Sequence, residues 1–167
     1  AAVVPTFRGT VYEVATEMAW KEIPYPRLSN SPNHTVLHGK LASISAAEEA
    51  LVTSSGMSAI TTSLLALAGG GHILAQKTLY GGSHGALSAV LPRLGISSSR
   101  VDITKPETWK SALRSDTRVF YVETMANPLM EIGDLDAVVD FARDHGLTPI
   151  VDNTFGSPIN FRPSEWG

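Results

Sequence analysis

From residue 36 onward the chain alternates helix-patterned segments with short β-branched runs, and this alternation constrains the fold more than any other feature. Arg118 to Val122 is almost continuously apolar, which predicts a strand buried on both faces. A helical pattern over Leu135 to His145, ended by Gly146, separates it from a last strand over Thr148 to Val151. Upstream, strands are predicted at Ala50 to Thr53, at His72 to Ala75 after the turn Gly69-Gly70-Gly71, and at Arg100 to Ile103. Helices are predicted over Val36 to Glu48, Ser58 to Ala68, Gly85 to Leu94 and, behind Pro106, Glu107 to Arg114. Strand, helix, strand repeated in this way implies an α/β fold, a mostly parallel sheet with helices on both faces.

Residues 1 to 35 differ. They carry Pro5, Pro24, Pro26 and Pro32 and the aromatics Phe7, Tyr12, Trp20 and Tyr25, with no sustained period. Such a segment reads as an extended arm that covers its aromatics by lying on another surface, which suggests an oligomer. Residues 36 to 167 then form the sheet domain. The net charge of -3 and pI near 5.9 leave no basic face for a phosphate backbone, so nucleic acid is not an expected partner. The absence of cysteine excludes a disulfide framework and a thiolate metal site. No apolar run approaches about 18 residues and no signal-peptide pattern opens the chain, so neither a membrane span nor secretion is expected, and cytoplasm is the expected location.

The polar residues that could carry chemistry stand where predicted strands end, the side of an open α/β sheet on which ligands bind. Asp152 comes after the apolar run Pro149-Ile150-Val151, and a carboxylate delivered there requires a partner, a protonated nitrogen being one candidate. Ser54-Ser55-Gly56-Met57-Ser58 precedes a helix, so its free N–H groups and hydroxyls form an anion cup, although Ser-Gly before a helix is also an ordinary cap. Tyr80-Gly81-Gly82 sets an aromatic beside a sharp turn, and Glu123 and Asn127-Pro128 come after the strand 118 to 122. Together these describe a site for a flat, phosphorylated, nitrogen-containing ring. Two rivals are weaker. Gly81-Gly82-Ser83-His84-Gly85 fits a serine-hydrolase elbow, but its nominal partners Asp134 or Asp136 and His145 lie on one remote helix. His34 and His38 are four apart without a third ligand at metal spacing.

The segments Tyr25-Pro26-Arg27-Leu28-Ser29-Asn30, Ser54 to Ile60, Leu79-Tyr80-Gly81-Gly82, Glu123-Thr124-Met125-Ala126-Asn127-Pro128 and Val151-Asp152-Asn153-Thr154-Phe155 occur in the order seen in one family, with Arg162-Pro163 and Gly167 extending the match. The chain resembles the pyridoxal-phosphate enzymes of cysteine and methionine metabolism, the cystathionine synthases and lyases, methionine lyase and acylhomoserine sulfhydrylases. The resemblance implies a truncated large domain of fold-type I, with pyridoxal 5'-phosphate as cofactor. It implies β- or γ-elimination or replacement on a sulfur-containing or O-acylhomoserine-type amino acid. Asp152 would pair with the ring nitrogen, and Tyr80 would stack on the ring and assist proton or leaving-group chemistry. Ser55, Gly56 and Met57 would hold the phosphate, Asn127 would reach the ring hydroxyl, and Thr154 would stand close by. Tyr25 and Arg27 would cross to the phosphate of an adjacent subunit in a homo-oligomer, dimer or tetramer. Glu123 matches the motif without an assigned role.

The chain departs from the family pattern beyond Asp152. The lysine that anchors the cofactor, in a Ser-x-Thr-Lys segment, and the arginine that holds the substrate carboxylate lie past the aspartate motif in the family. Here the lysines are Lys21, Lys40, Lys77, Lys105 and Lys110, all before it. The expectation is a fragment of a longer protein or one half of a protein made as two chains, ahead of a degenerate relative that has lost its chemistry, with activity returning when a complementary C-terminal part is supplied. A cofactor- or partner-binding fragment without catalysis is the alternative. Around Asn30-Ser31-Pro32-Asn33 the arm has one extra residue, and Ile44-Ser45-Ala46 replaces the usual Leu-Glu-Gly.

Overall fold

Four parallel strands, β1 (His72–Gln76), β2 (Ser97–Val101), β3 (Thr117–Glu123) and β4 (Thr148–Asp152), lie in the order β2-β1-β3-β4 in a computed structural model of the protein. The structure describes residues 3–15, 17–19 and 22–166, so the arm aromatic Trp20, Lys21 and the motif residue Gly167 lie outside it. Side chains alternate across a pleated strand, and β1 and β3 send apolar residues to both faces. Ile73, Ala75, Val119 and Tyr121 pack with Leu64 and Ala68 of α2 (Gly56–Ala68). Leu74, Phe120 and Val122 pack with Val138 and Ala142 of α4 (Leu135–Asp144) and with Trp109. Trp109 is fully buried, meets Phe120 and Phe141 edge-on at 5.1 and 5.4 Å, and donates its indole N–H to the Asp102 carbonyl at 2.8 Å. Burying a ring of that size removes about 150–250 Å² from water, worth roughly 4–6 kcal/mol of transfer free energy. The expected α/β sheet with helices on both faces is what the chain forms.

Local chemistry sets the helix ends. Ser55 caps α2 by accepting the Ser58 N–H at 3.1 Å, and Gly69 closes it at φ 54°. Asp134 caps α4 by accepting the Ala137 N–H at 3.1 Å. The first helix, α1, runs Pro32–Ile44 rather than from residue 36, because Pro32 occupies a first-turn position where its missing N–H costs nothing. Beyond its end the Ala47 N–H bonds the Ala42 carbonyl at 2.9 Å, with Ala46 in the left-handed region at φ 51°.

Four further expected elements change. Ala50 to Thr53 forms no strand, having no ladder partner among the described residues. The strand expected over 100 to 103 begins at Ser97, since Ser97, Ser98 and Ser99 pair with His72, Ile73 and Leu74. The helix expected over 85 to 94 is three pieces: α3 (Gly81–Gly85), a wide turn over Ala86–Val90 and a 3-10 turn over Leu91–Leu94 containing Pro92. The segment after Pro106 is a 3-10 helix, Pro106–Ala112. Past β4 a single turn, α5 (Ser157–Asn160), precedes the last 3-10 turn Pro163–Glu165.

At the amino ends of the strands His72 is fully buried, with Nδ1 2.8 Å from Thr117 Oγ1 on β3 and Nε2 2.9 Å from Ser99 Oγ on β2. Burial holds its pKa below the usual histidine value; Arg114 adds to this and Asp116 opposes it. At the carboxyl ends the strand order reverses between β1 and β3, which opens a crevice there.

The chain divides into two units, Ala1–Thr53 and Ser54–Gly167, so α1 groups with the first. Within that unit the Asn33 side chain accepts the Phe7 N–H at 2.9 Å and donates to the Phe7 carbonyl at 2.6 Å. Among the described residues no helix is long and apolar enough to cross a membrane.

Candidate active site

The crevice holds a cavity of about 420 Å³ lined by Ser55, Gly56, Met57, Ile60, Tyr80, Glu123, Met125, Asn127, Asp152, Thr154 and Phe155. Four chain segments meet there: the first turn of α2 and the loops after β1, β3 and β4. The first turn of any α-helix leaves N–H groups without intrahelical acceptors, and Gly56 and Met57, which open α2, line the cavity. The cavity is thus bordered by the positive end of the helix dipole.

Tyr80 is half-exposed, with its backbone extended before α3. The close approach of Gly82 is what lets its ring settle: a Cβ at Gly82 would stand 2.6 Å from both Met57 Sδ and Tyr80 Cε1. Glu123, by contrast, is 4% exposed. Its Oε1 accepts the Tyr80 N–H at 2.8 Å, its Oε2 accepts the Asn127 N–H at 3.2 Å, and its own N–H donates to Gln76 Oε1 at 3.0 Å. Burial pushes its pKa above the ordinary carboxylate value and the nearby Asp152 charge adds to this, while the two accepted N–H bonds work against it.

Asp152 stands beside Glu123 in the β3–β4 register. Its Oδ1 accepts the Thr154 N–H at 3.0 Å and the Thr154 hydroxyl at 2.5 Å. Its Oδ2 accepts from the Tyr121 hydroxyl at 3.4 Å. Tyr121 is fully buried, and its oxygen also lies 3.1 Å from the Oγ of the equally buried Ser83. Burial raises the phenol pKa well above its usual value; the Ser83 hydrogen bond opposes the rise, and the charges of Asp152 and Glu123 add to it. Asp152 itself is half-buried, on β4, one of the two outer strands. It is therefore less enclosed than a carboxylate after so apolar a run suggests, and it is held by neutral donors on two sides.

Of the nine residues singled out from sequence, Ser55, Gly56, Met57, Tyr80, Asn127, Asp152 and Thr154 line this one cavity. Tyr25 and Arg27 belong to the first unit. There the Arg27 guanidinium carbon lies 4.9 Å over the Tyr25 ring, and the Asn30 side chain accepts the Tyr25 N–H at 2.7 Å and donates to the Ile23 carbonyl at 2.7 Å. Sequence reasoning passed over Tyr121, which donates to Asp152, weighed Ser83 only as a nucleophile rather than as the partner of Tyr121, and passed over Ile60, Met125 and Phe155, the apolar lining. The available signal for Tyr121 was a hydroxyl inside an otherwise apolar strand. The hydrolase reading of Ser83 does not survive: the serine is fully buried, while Asp134 caps α4 and His145 stacks on Phe141 at 4.2 Å.

The sequence matches a family described as Cys/Met metabolism PLP-dependent enzyme over residues 1–167. It is 35% identical over 167 residues to a probable cystathionine gamma-synthase of Herpetosiphon aurantiacus, covering all of this chain and 52% of that protein. It is 41% identical over 145 residues to an L-methionine gamma-lyase of Porphyromonas gingivalis, covering 86% of this chain and 36% of the relative. The structure resembles a crystal structure of cystathionine gamma-lyase from Lactobacillus plantarum complexed with L-serine, with a TM-score of 0.90 and 29% identity over 98% of this chain and 42% of that one. The chain thus spans about half the length, or less, of these relatives.

Proposed function

The chain belongs to the Cys/Met metabolism PLP-dependent enzymes, and from that premise we propose that it forms the cofactor-orienting part of an enzyme acting on sulfur-containing or O-acylhomoserine-type amino acids by β- or γ-elimination or replacement. One observation carries the reading. A single cavity collects a helix N-terminus, an aromatic ring, an amide and a carboxylate from four separate segments. These are the groups needed by a phosphorylated pyridine: N–H donors for the phosphate, a plate for the ring, an amide for the ring hydroxyl and an acceptor for a protonated nitrogen. Pyridoxal phosphate, when bound, supplies an electron sink for the bonds broken at the substrate.

The chain's own residues account for binding and orientation. Ser55 and the N–H groups of Gly56 and Met57 receive the phosphate. The Tyr80 face takes the ring, and its hydroxyl stands ready to move a proton to or from a leaving group. The Asn127 amide faces the ring hydroxyl. Asp152 holds a proton on the ring nitrogen: Thr154 fixes Oδ1, Tyr121 steers Oδ2, and an ionised acceptor there strengthens the contact. Tyr25 and Arg27, paired as cation and ring in the arm, serve the phosphate of a neighbouring copy in a homo-oligomer. No lysine lines the cavity among the described residues, so the covalent anchor falls to a segment other than these.

Titration of the whole protein with pyridoxal phosphate, monitored by visible absorbance and borohydride trapping, tests the reading. Saturable binding is expected, weakened roughly three- to ten-fold in Tyr80→Ala, with the trapped adduct mapping outside residues 1–167. Failure of the whole protein to bind the cofactor overturns the reading. A trapped lysine within residues 1–167 overturns the division of labour.

A further inference from the structure

Glu123 is the most deeply buried carboxylate of the crevice, and the proposed function leaves it without a task. Its two oxygens go to backbone N–H groups on different loops: Tyr80, after β1, and Asn127, after β3. These loops carry the aromatic plate and the amide of the cavity. From behind, the Glu123 N–H is held by Gln76 Oε1 at the end of β1. An ionised carboxylate is an acceptor on both oxygens, so it satisfies two inward-pointing N–H groups at once. A glutamine presents one acceptor and one donor and must leave one N–H facing its own NH₂. An aspartate, one methylene shorter, cannot span both loops from the same backbone position.

We propose that Glu123 is the positioning residue of this site, its carboxylate clamping the Tyr80 loop to the Asn127 loop so that ring plate and amide keep a fixed relation across the cavity. What is positioned rests on the cofactor reading; the clamp itself belongs to the apo chain. Hydrogen bonds to a charged acceptor in a buried setting are among the stronger ones, and two of them on one side chain offset the burial that disfavours its charge.

The test uses the whole protein with Glu123→Gln and Glu123→Asp. Amide hydrogen exchange without cofactor is expected to accelerate roughly ten-fold in peptides covering Tyr80 and Asn127, with peptides covering Phe120 and Val122 unchanged within about two-fold. With pyridoxal phosphate added, the dissociation constant is expected to rise roughly ten-fold, and the visible circular dichroism of the bound ring to change shape. Unchanged exchange at Tyr80 and Asn127 overturns the clamp, as does uniform acceleration across the sheet, which marks a stability effect alone. If wild type and variants bind the cofactor equally, with the same dichroic band, the positioning role is overturned while the cofactor reading stands. If exchange responds but even the wild type binds no cofactor, the clamp stands and the cofactor reading falls.

Discussion

Tyr121→Phe deletes one oxygen atom from the middle of the sheet, and the structure allows its cost to be worked out. The phenol oxygen makes two contacts, at 3.1 Å with Ser83 Oγ and at 3.4 Å with Asp152 Oδ2. Ser83 is fully buried, so removing its partner leaves a hydroxyl unsatisfied, at about 1–3 kcal/mol. The second contact is long, and Asp152 also faces the cavity where water can replace the donor, so it adds at most about 0.5 kcal/mol. Phenylalanine fills the same space, so no cavity cost enters. The expected loss is about 2 kcal/mol, or roughly 4–8 °C in Tm for a chain of this size. Ser83→Ala alone should cost about 1 kcal/mol, and the double variant should cost less than the sum, because deleting both polar partners together leaves neither orphaned. Urea unfolding monitored by far-UV circular dichroism at pH 7 measures all four corners of the cycle. A Tyr121→Phe effect below about 0.5 kcal/mol, or strict additivity of the two changes, refutes the idea that this pair forms a single buried polar unit.

Two further outcomes are expected from other parts of the molecule. Since burial lowers the folded-state pKa of His72, the unfolded chain takes up the proton first, and the neutral imidazole's contribution is lost as pH falls below about 6.5. Urea midpoints compared at pH 7.5 and pH 5.5 should drop more steeply for wild type than for His72→Gln; equal slopes would contradict the assignment. Ala46→Gly should stabilise α1 by about 0.5–1 kcal/mol, because Ala46 occupies the left-handed region at φ 51° where glycine carries no Cβ penalty. A thermal melt showing no rise in Tm would mean that the end of α1 is not held in this geometry.

The sheet was legible because Val119, Phe120, Tyr121 and Val122 form a run apolar enough to be buried on both faces, and because glycine, serine or proline marks each turn. The cavity was legible for a related reason: the polar residues that line it stand directly after strands or at a helix start. What stayed hidden depends on register and side-chain direction. The run at 50 to 53 has strand composition, yet a strand exists only with a partner. β2 opens on three serines that lack any hydrophobic signal, and Ser99 is used there as a hydrogen-bond partner for a buried histidine. The link from Tyr121 to Asp152 arises only because β3 and β4 pair with Glu123 opposite Asp152. Glu123 itself was visible as a carboxylate after an apolar strand, but its two backbone partners lie 43 residues before it and 4 after it.

His72 and Thr117 open their strands, whereas Glu123 and Asp152 close theirs. Thr117 and Glu123 are the two ends of β3, six steps apart along the strand, which at about 3.3 Å per residue puts roughly 20 Å between the two polar centres, beyond the range at which substitutions normally couple. A substitution at the imidazole end can therefore change how the sheet answers to acid while the binding end keeps its geometry.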